Sequence, residues 1–337
     1  MVIPVYNAAR FLNRTVRSAL QRREVVEVIL VEDGSTDNSL AVCNALLEQD
    51  VRIRLYNHPN GANKGAGASR NVGISKASAP FIAFLDADDY FLENRFVKDK
   101  EVFQSIPEAD GVYNAIGVDY DSPEAKEQFQ IRFNVPDERM DNYLTTVNAP
   151  LDPKDLFKGL WGFEGQNAGY FSLDGLTLKA SAINKLDGLF QEELRLHQDT
   201  EFNYRCAYYL NLYPGSIDRA VSNRLVHASN RITADKSAQV QAAKRFKFLS
   251  FVYDWAKKEG LPKAQMQHIY LLKAYNDLKQ RKQPIRYFRF LTYLFSGNGI
   301  IRNPVSDRIH RSLFNNRTLS WMHCKGVAVL RKLLGNG

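Results

Sequence analysis

The sequence predicts an α/β protein built on a mostly parallel, Rossmann-like sheet flanked by helices, with a basic, mainly α-helical region after it. Three observations carry that reading. Short apolar runs alternate with helical patterns through about the first hundred residues, the mark of βαβ units. Acidic and polar clusters stand directly after several of those runs, at the carboxyl ends of strands where ligands bind in open α/β sheets. Charge is also divided along the chain: from Val240 to Gly337 nineteen Lys and Arg face four acids, a net +15 that leaves the first 239 residues at −7 within a total of +8.

Taken in order, Val2 to Tyr6 reads as a strand, and Asn7 is placed to cap a helix carrying Phe11, Leu12, Val16, Ala19 and Leu20 on one face. Val25 to Val31 is an apolar, mostly β-branched run broken only by Glu27, as expected of a strand buried on both faces. The turn Glu32-Asp33-Gly34-Ser35-Thr36-Asp37 follows, with Ser35 or Thr36 as cap of the next helix. Arg52 to Tyr56 is a third strand, and a Gly- and Asn-rich loop from Asn57 to Gly67 leads into a helix ending near Ala77. Phe81 to Leu85 is a fourth strand, ending in Asp86-Ala87-Asp88-Asp89. Between about Asp119 and Lys158, Pro123, Pro136, Pro150 and Pro153 interrupt the pattern, which predicts strands and loops there. Gln198 to Leu210 is helical again. Beyond Arg231 come long helical stretches, broken near Gly260-Leu261-Pro262, Pro284 and Gly297-Asn298-Gly299.

With 337 residues, 45% of them apolar and 24% charged, the chain can build a large core. It holds no run of the roughly 18 apolar residues a membrane span needs, and Met1-Val2-Ile3-Pro4 lacks the features of a signal peptide, so the expected location is the cytoplasm. Cys43, Cys206 and Cys324 are far apart and read as buried free thiols.

Three carboxylates within Asp86-Ala87-Asp88-Asp89 repel one another unless a cation or a basic group lies among them. Hard oxygen ligands of this kind suit Mg²⁺ or Mn²⁺ bridging to substrate phosphates, although a solvated acidic turn would look the same. Asp33 can accept hydrogen bonds from a base or ribose, or close a local turn. Tyr6 offers a ring for a base to stack on, or sits at the rim of the core. Lys64 and Arg70 are in reach of the same sheet edge for phosphate or ribose, or belong to a solvated helix face.

Val2-Ile3-Pro4-Val5-Tyr6-Asn7, Val31 to Asp37, Ser69-Arg70-Asn71-Val72-Gly73 and Phe84 to Asp89 together resemble the ordered motifs of the family 2 glycosyltransferases, inverting enzymes of the GT-A fold. The likeness is strong over residues 1–105 and thinner to about 235. It implies a glycosyltransferase domain over 1–235, with a nucleotide-binding half at 1–105 and an acceptor half at 106–235, followed by the basic region at 236–337. The resemblance implies that Tyr6 and Asp33 hold the nucleotide base, with Pro4, Lys64, Arg70 and Ala87 also at the donor and Asp86 at the ribose or metal. Asp88 would be the principal ligand of Mn²⁺ or Mg²⁺. The family's general base comes from an acidic pair at a helix start, which here is Gln198-Asp199, making Asp199 the candidate and an N-cap its plain alternative. Glu201 and His197 are weaker candidates, and His197 is also placed at the acceptor. Trp161 is either an acceptor platform or a core ring. His227, Arg231 and Thr233 resemble a segment over the donor phosphates, with Arg231 the phosphate contact. Glu32 stands where the family often has Asp.

The implied activity is hexosyl transfer from a nucleotide sugar, by family usage a UDP-sugar, to a hydroxyl of a saccharide or lipid-linked acceptor in bacterial surface polysaccharide, capsule or lipooligosaccharide assembly. The basic region, which mixes cations with Tyr253, Trp255, Tyr270, Tyr287 and Trp321, reads equally as a peripheral anchor on the anionic inner face of the cell membrane and as a helical bundle with a solvated exterior. Two alternatives remain: a nucleotidyltransferase, which usually carries a Gly-rich basic loop after its first strand where Tyr6-Asn7-Ala8-Ala9 stands, and an inactive binding module, against which Asp86, Asp88 and Asp199 argue.

Overall fold

The computed structural model describes residues 1–163, 168–227 and 237–281. The chain divides into two compact units, Met1–Ala234 and Asp235–Gly337.

In the first unit, β1 (Val2–Val5), β2 (Val28–Glu32) and β3 (Ile53–Asn57) pair in parallel. Every residue of β1 and β2 is buried, which is why their sequences run apolar without alternation. A parallel bridge from Val2 to Phe84 sets β4 (Phe81–Ala83) on the other side of β1, and the Leu85 N–H donates to the Val2 carbonyl at 3.1 Å. From β4 the sheet continues through β8 (Leu176–Lys179) to β6 (Gly111–Tyr113) and β9 (Leu212–Pro214), with β8 alone running against the rest. A small second sheet pairs β10 (Ser222–Val226) with β5 (Tyr90–Phe91) and β7 (Gly117–Tyr120).

The helices are α1 (Leu12–Leu20), α2 (Ser39–Gln49), α3 (Ala66–Lys76), α4 (Val97–Ser105), α5 (Pro123–Phe133), α6 (Asp137–Met140), α7 (Pro153–Trp161) and α8 (Gln198–Tyr209). One core cluster joins Ile3 and Val5 of β1, Leu30 of β2, Leu12 and Val16 of α1, Cys43 and Leu46 of α2, and Leu85. Each fully buried Val, Leu or Ile contributes about 1.5–3 kcal/mol, so this cluster fixes the strand ends that carry the polar residues.

Three local expectations are corrected. Asn7 does not cap α1: it adopts left-handed backbone (φ 51°), and its Oδ1 accepts the Thr36 N–H at 2.8 Å, tying the ends of β1 and β2 together. Neither Ser35 nor Thr36 caps α2, because both are used on Asn7, and Asp37 accepts the Ser39 N–H at 2.9 Å instead. The Pro-rich stretch contains helices. Pro123 and Pro153 each occupy the first turn, where a missing N–H costs nothing, behind the capping side chains of Ser122 and Asp152.

In the second unit the described residues form α9 (Ala238–Lys258) and α10 (Lys263–Gln280), joined at Gly260, whose φ of 68° stops α9. Tyr287, Trp321 and Cys324 lie outside the described residues.

Candidate active site

The carboxyl ends of β1, β2 and β4 bring Tyr6, Asp33 and Asp86 to one edge of the sheet. Tyr6 is 41% exposed there, one residue past β1, while Pro4 is buried inside that strand.

Asp33 is buried and organises the Gly- and Asn-rich loop. Its Oδ1 accepts the Lys64 N–H at 2.6 Å and the Gly65 N–H at 3.0 Å, and its own carbonyl accepts from Asn63 Nδ2 at 2.9 Å. The Lys64 side chain is left at the exposed surface. Behind Asp33 lies buried His58, whose Nε2 is 3.6 Å from Asp33 Oδ1 and 2.9 Å from Ser69 Oγ. The turn before the loop needs Gly34, since a Cβ there would stand 2.4 Å from the Gly61 carbonyl oxygen. Glu32, longer than Asp, curls back to accept the N–H groups of Gly34 and Ser35 at 3.0 and 2.5 Å, leaving Asp33 to the loop.

Each residue of the Ser69-Arg70-Asn71 run on α3 has a separate task. Ser69 meets His58, Arg70 donates through Nη2 to Asp86 Oδ1, and Asn71 bonds the backbone of Phe190. Arg70 is buried, not on a solvated face, and its Nε and Nη1 have no hydrogen-bond partner among the described residues.

The acidic turn splits into two kinds of carboxylate. The side chains of Asp86 and Asp88 are 42% and 32% exposed, and each touches a buried nitrogen partner: Arg70 for Asp86, and His227 Nε2 at 3.1 Å for Asp88. Asp89 is buried, and its Oδ1 accepts the Leu225 N–H at 2.9 Å. Asp174, fully buried just before β8, accepts the Asp86 N–H at 3.1 Å. Carboxylate oxygens of Asp86, Asp89 and Asp174 fall within 4.8 Å of one another, so Asp86 also belongs to an inner cluster with Asp89 and Asp174. Burial, reinforced by the neighbouring acids, raises Asp89 well above the usual carboxylate range and Asp174 to about 6. Although burial opposes its charge, Asp89 and Asp174 hold Arg224 cationic beyond the ordinary arginine range. The inner carboxyls thus have their compensating charge in Arg224, whereas the outer pair opens to solvent. Ala87 is buried, and Thr15 Oγ1 lies 2.9 Å from its carbonyl and 2.7 Å from that of Asp89, fixing the turn from α1.

At the start of α8 the N-cap position belongs to His197, in left-handed backbone (φ 65°), so Asp199 is not the cap. Asp199 is exposed in the first turn, with Thr200 Oγ1 3.4 Å from its carboxylate. Glu201 is excluded as a base: it is buried and gripped by Arg205 at 2.6 and 2.8 Å, and Arg205 also donates to the carbonyls of Asp187, Gly188 and Leu189. Trp161 is a core residue, 8% exposed, stacked on Phe163 and tilted against Tyr204, which accounts for its ring without a sugar. Arg231 and Thr233 lie outside the described residues. Thr15, Asp174 and Arg224 escaped the sequence reading, since their partners are remote in the chain, and Arg205 escaped it although Glu201 stands only four residues away.

Residues 1–155 match the sequence profile of glycosyl transferase family 2. An uncharacterized glycosyltransferase of Haemophilus influenzae is 39% identical over 99 residues, 29% of this chain and 39% of that protein. Glycosyltransferase GlyG of Streptococcus pneumoniae is 38% identical over 111 residues, 33% of this chain and 35% of that protein. The chain therefore spans under two fifths of these relatives' length. The crystal structure of S. aureus TarS 1-349 superposes with a TM-score of 0.57 at 17% identity, covering 92% of this chain and 81% of that one. Its complex with UDP-GlcNAc gives 0.55 at 16%, covering 91% and 76%. At such identity the likeness establishes the shared GT-A fold.

Proposed function

Since residues 1–155 are a glycosyl transferase family 2 domain, we propose that this glycosyltransferase carries out an inverting, metal-assisted transfer from a UDP-sugar to a hydroxyl of a saccharide or lipid-linked acceptor in bacterial surface polysaccharide assembly. The observation that carries the reading is the pair of half-exposed carboxylates, Asp86 and Asp88, each held by a buried nitrogen partner at the end of β4. A structural acidic turn needs no such buried partners. Two open carboxylates with an imidazole beside one of them suit a divalent cation, so Asp86 and Asp88 are the residues to hold Mn²⁺ or Mg²⁺. Bound there, the cation supplies positive charge against the departing nucleoside diphosphate.

The chain's own residues do the rest. Tyr6 gives the base a ring to stack on, and the loop that Asp33 braces walls the nucleotide, with Lys64 and Arg70 supplying cationic charge toward phosphate or ribose. Asp199, exposed at a helix start, takes the proton of the attacking hydroxyl as that oxygen bonds to the anomeric carbon and the diphosphate leaves from the opposite face. His197, held in strained backbone beside it, sits on the acceptor side. The basic region from Val240 onward is read as a peripheral contact with anionic lipid. Deleting residues 240–337 is expected to release the protein from phosphatidylglycerol vesicles, and undiminished binding would remove that element.

Manganese-dependent release of UDP from UDP-GlcNAc tests the reading. Release is expected to stop in Asp88→Asn, and release that persists in that variant would refute the metal assignment.

A further inference from the structure

The segment that delivers Asp199 is fastened to the nucleotide side of the site at two points. On α3, the Asn71 side chain accepts the Phe190 N–H at 2.9 Å and donates to the Phe190 carbonyl at 2.9 Å and to Glu192 at 3.0 Å. Farther on, Arg195 turns back onto the loop that Asp33 braces. Its Nη1 donates to Asn63 Oδ1 at 2.8 Å and its Nη2 to the Asn63 carbonyl at 3.1 Å. Asn63 in turn bonds Asp33, whose carboxylate holds the next two amides, Lys64 and Gly65.

The loop is shaped to admit that guanidinium. Gly65 adopts φ 93°, and a Cβ on it would stand 2.6 Å from Arg195 Nη1, so any other residue would push Arg195 away. Two residues past Arg195 the chain takes the left-handed turn at His197 and enters α8, whose first turn carries Asp199. From Asp33 to Asp199 the linkage runs through Asn63, Arg195 and one turn of backbone.

We propose that Arg195 is a positioning residue that couples the nucleotide-side loop to the Asp199 turn, so that ordering the loop around a donor also sets the base. The inference rests on reading Asp199 as the base and the Asp33 loop as the donor side. Arg195 is itself exposed, so its two bonds to Asn63 add little to stability while fixing the geometry of the loop against the Asp199 turn. Misplacing a reacting group by about 1 Å can cost about 100-fold in rate, so a clamp of this kind matters far more to turnover than to folding.

Hydrogen exchange on the full chain tests the coupling without any ligand. Arg195→Gln is expected to speed exchange of the Lys64 and Gly65 amides, and Asn63→Ala that of Glu201 and Phe202 across the gap, each by roughly tenfold. Effects confined to the substituted segment would overturn the proposal. With UDP-GlcNAc and Mn²⁺, Arg195→Gln is expected to lower kcat by about tenfold or more with the donor KM within about twofold, Arg195→Lys to recover part of the loss, and Arg195→Gln to add nothing to Asp199→Asn. Wild-type turnover in Arg195→Gln beside a dead Asp199→Asn would sink the coupling alone, whereas wild-type turnover in Asp199→Asn would sink the base assignment beneath it.

Discussion

Two pairs of neighbouring acids meet opposite fates in this fold. Asp88 and Asp89 are consecutive, yet Asp88 is partly open beside His227 while Asp89 is buried under the Leu225 amide. Asp199 and Glu201 share one helical turn, yet Asp199 faces solvent and Glu201 is locked to buried Arg205. Carboxylates of the same chemistry therefore divide by surroundings. Those enclosed by donors hold the architecture, and those with one side toward solvent stand where a ligand can approach.

The α8 pair offers the largest contrast. Glu201→Ala leaves the Arg205 guanidinium buried without its counter-ion and is expected to cost about 3–5 kcal/mol of stability, read as a lower urea midpoint at unchanged slope. Asp199→Asn is expected to leave that midpoint within about 0.5 kcal/mol while lowering turnover about 10²–10⁴-fold. Equal stability losses in the two variants would erase the distinction. A smaller effect sharpens it at the acidic turn, where Thr15→Val removes the hydroxyl between the carbonyls of Ala87 and Asp89. It is expected to cost about 1–3 kcal/mol in thermal or urea denaturation, and a neutral outcome would mean that the turn is held without α1.

The same division explains what the sequence could reveal. Parallel strands buried on both faces leave unbroken apolar runs such as Val28 to Val31, so β1 to β4 and the polar residues at their ends were legible, Tyr6, Asp33, Asp86 and Asp88 among them. The Pro-bearing helices α5 and α7 were not, because a proline in a first turn looks like a break unless the capping Ser122 or Asp152 is weighed with it. Nor was burial of Asp89 or the role of Thr15, whose contact with Ala87 spans 72 residues of chain. Asp174 enters the acidic cluster from 88 residues away, through the Asp86 amide. Local motifs expose the open carboxylates, while Asp89 and Asp174 take their meaning from tertiary partners that no short pattern encodes.

The open pair at the end of β4 is proposed to build a metal-dependent nucleotide-sugar site. Thermal denaturation of the purified chain with UDP, GDP, CDP and their sugars, with and without Mn²⁺, tests it most directly, because a ligand that binds only the folded state raises the midpoint. The expected result is a rise with UDP or a UDP-sugar that requires Mn²⁺ and disappears in Asp88→Asn. A rise that is the same without the metal, or that survives Asp88→Asn, would contradict it.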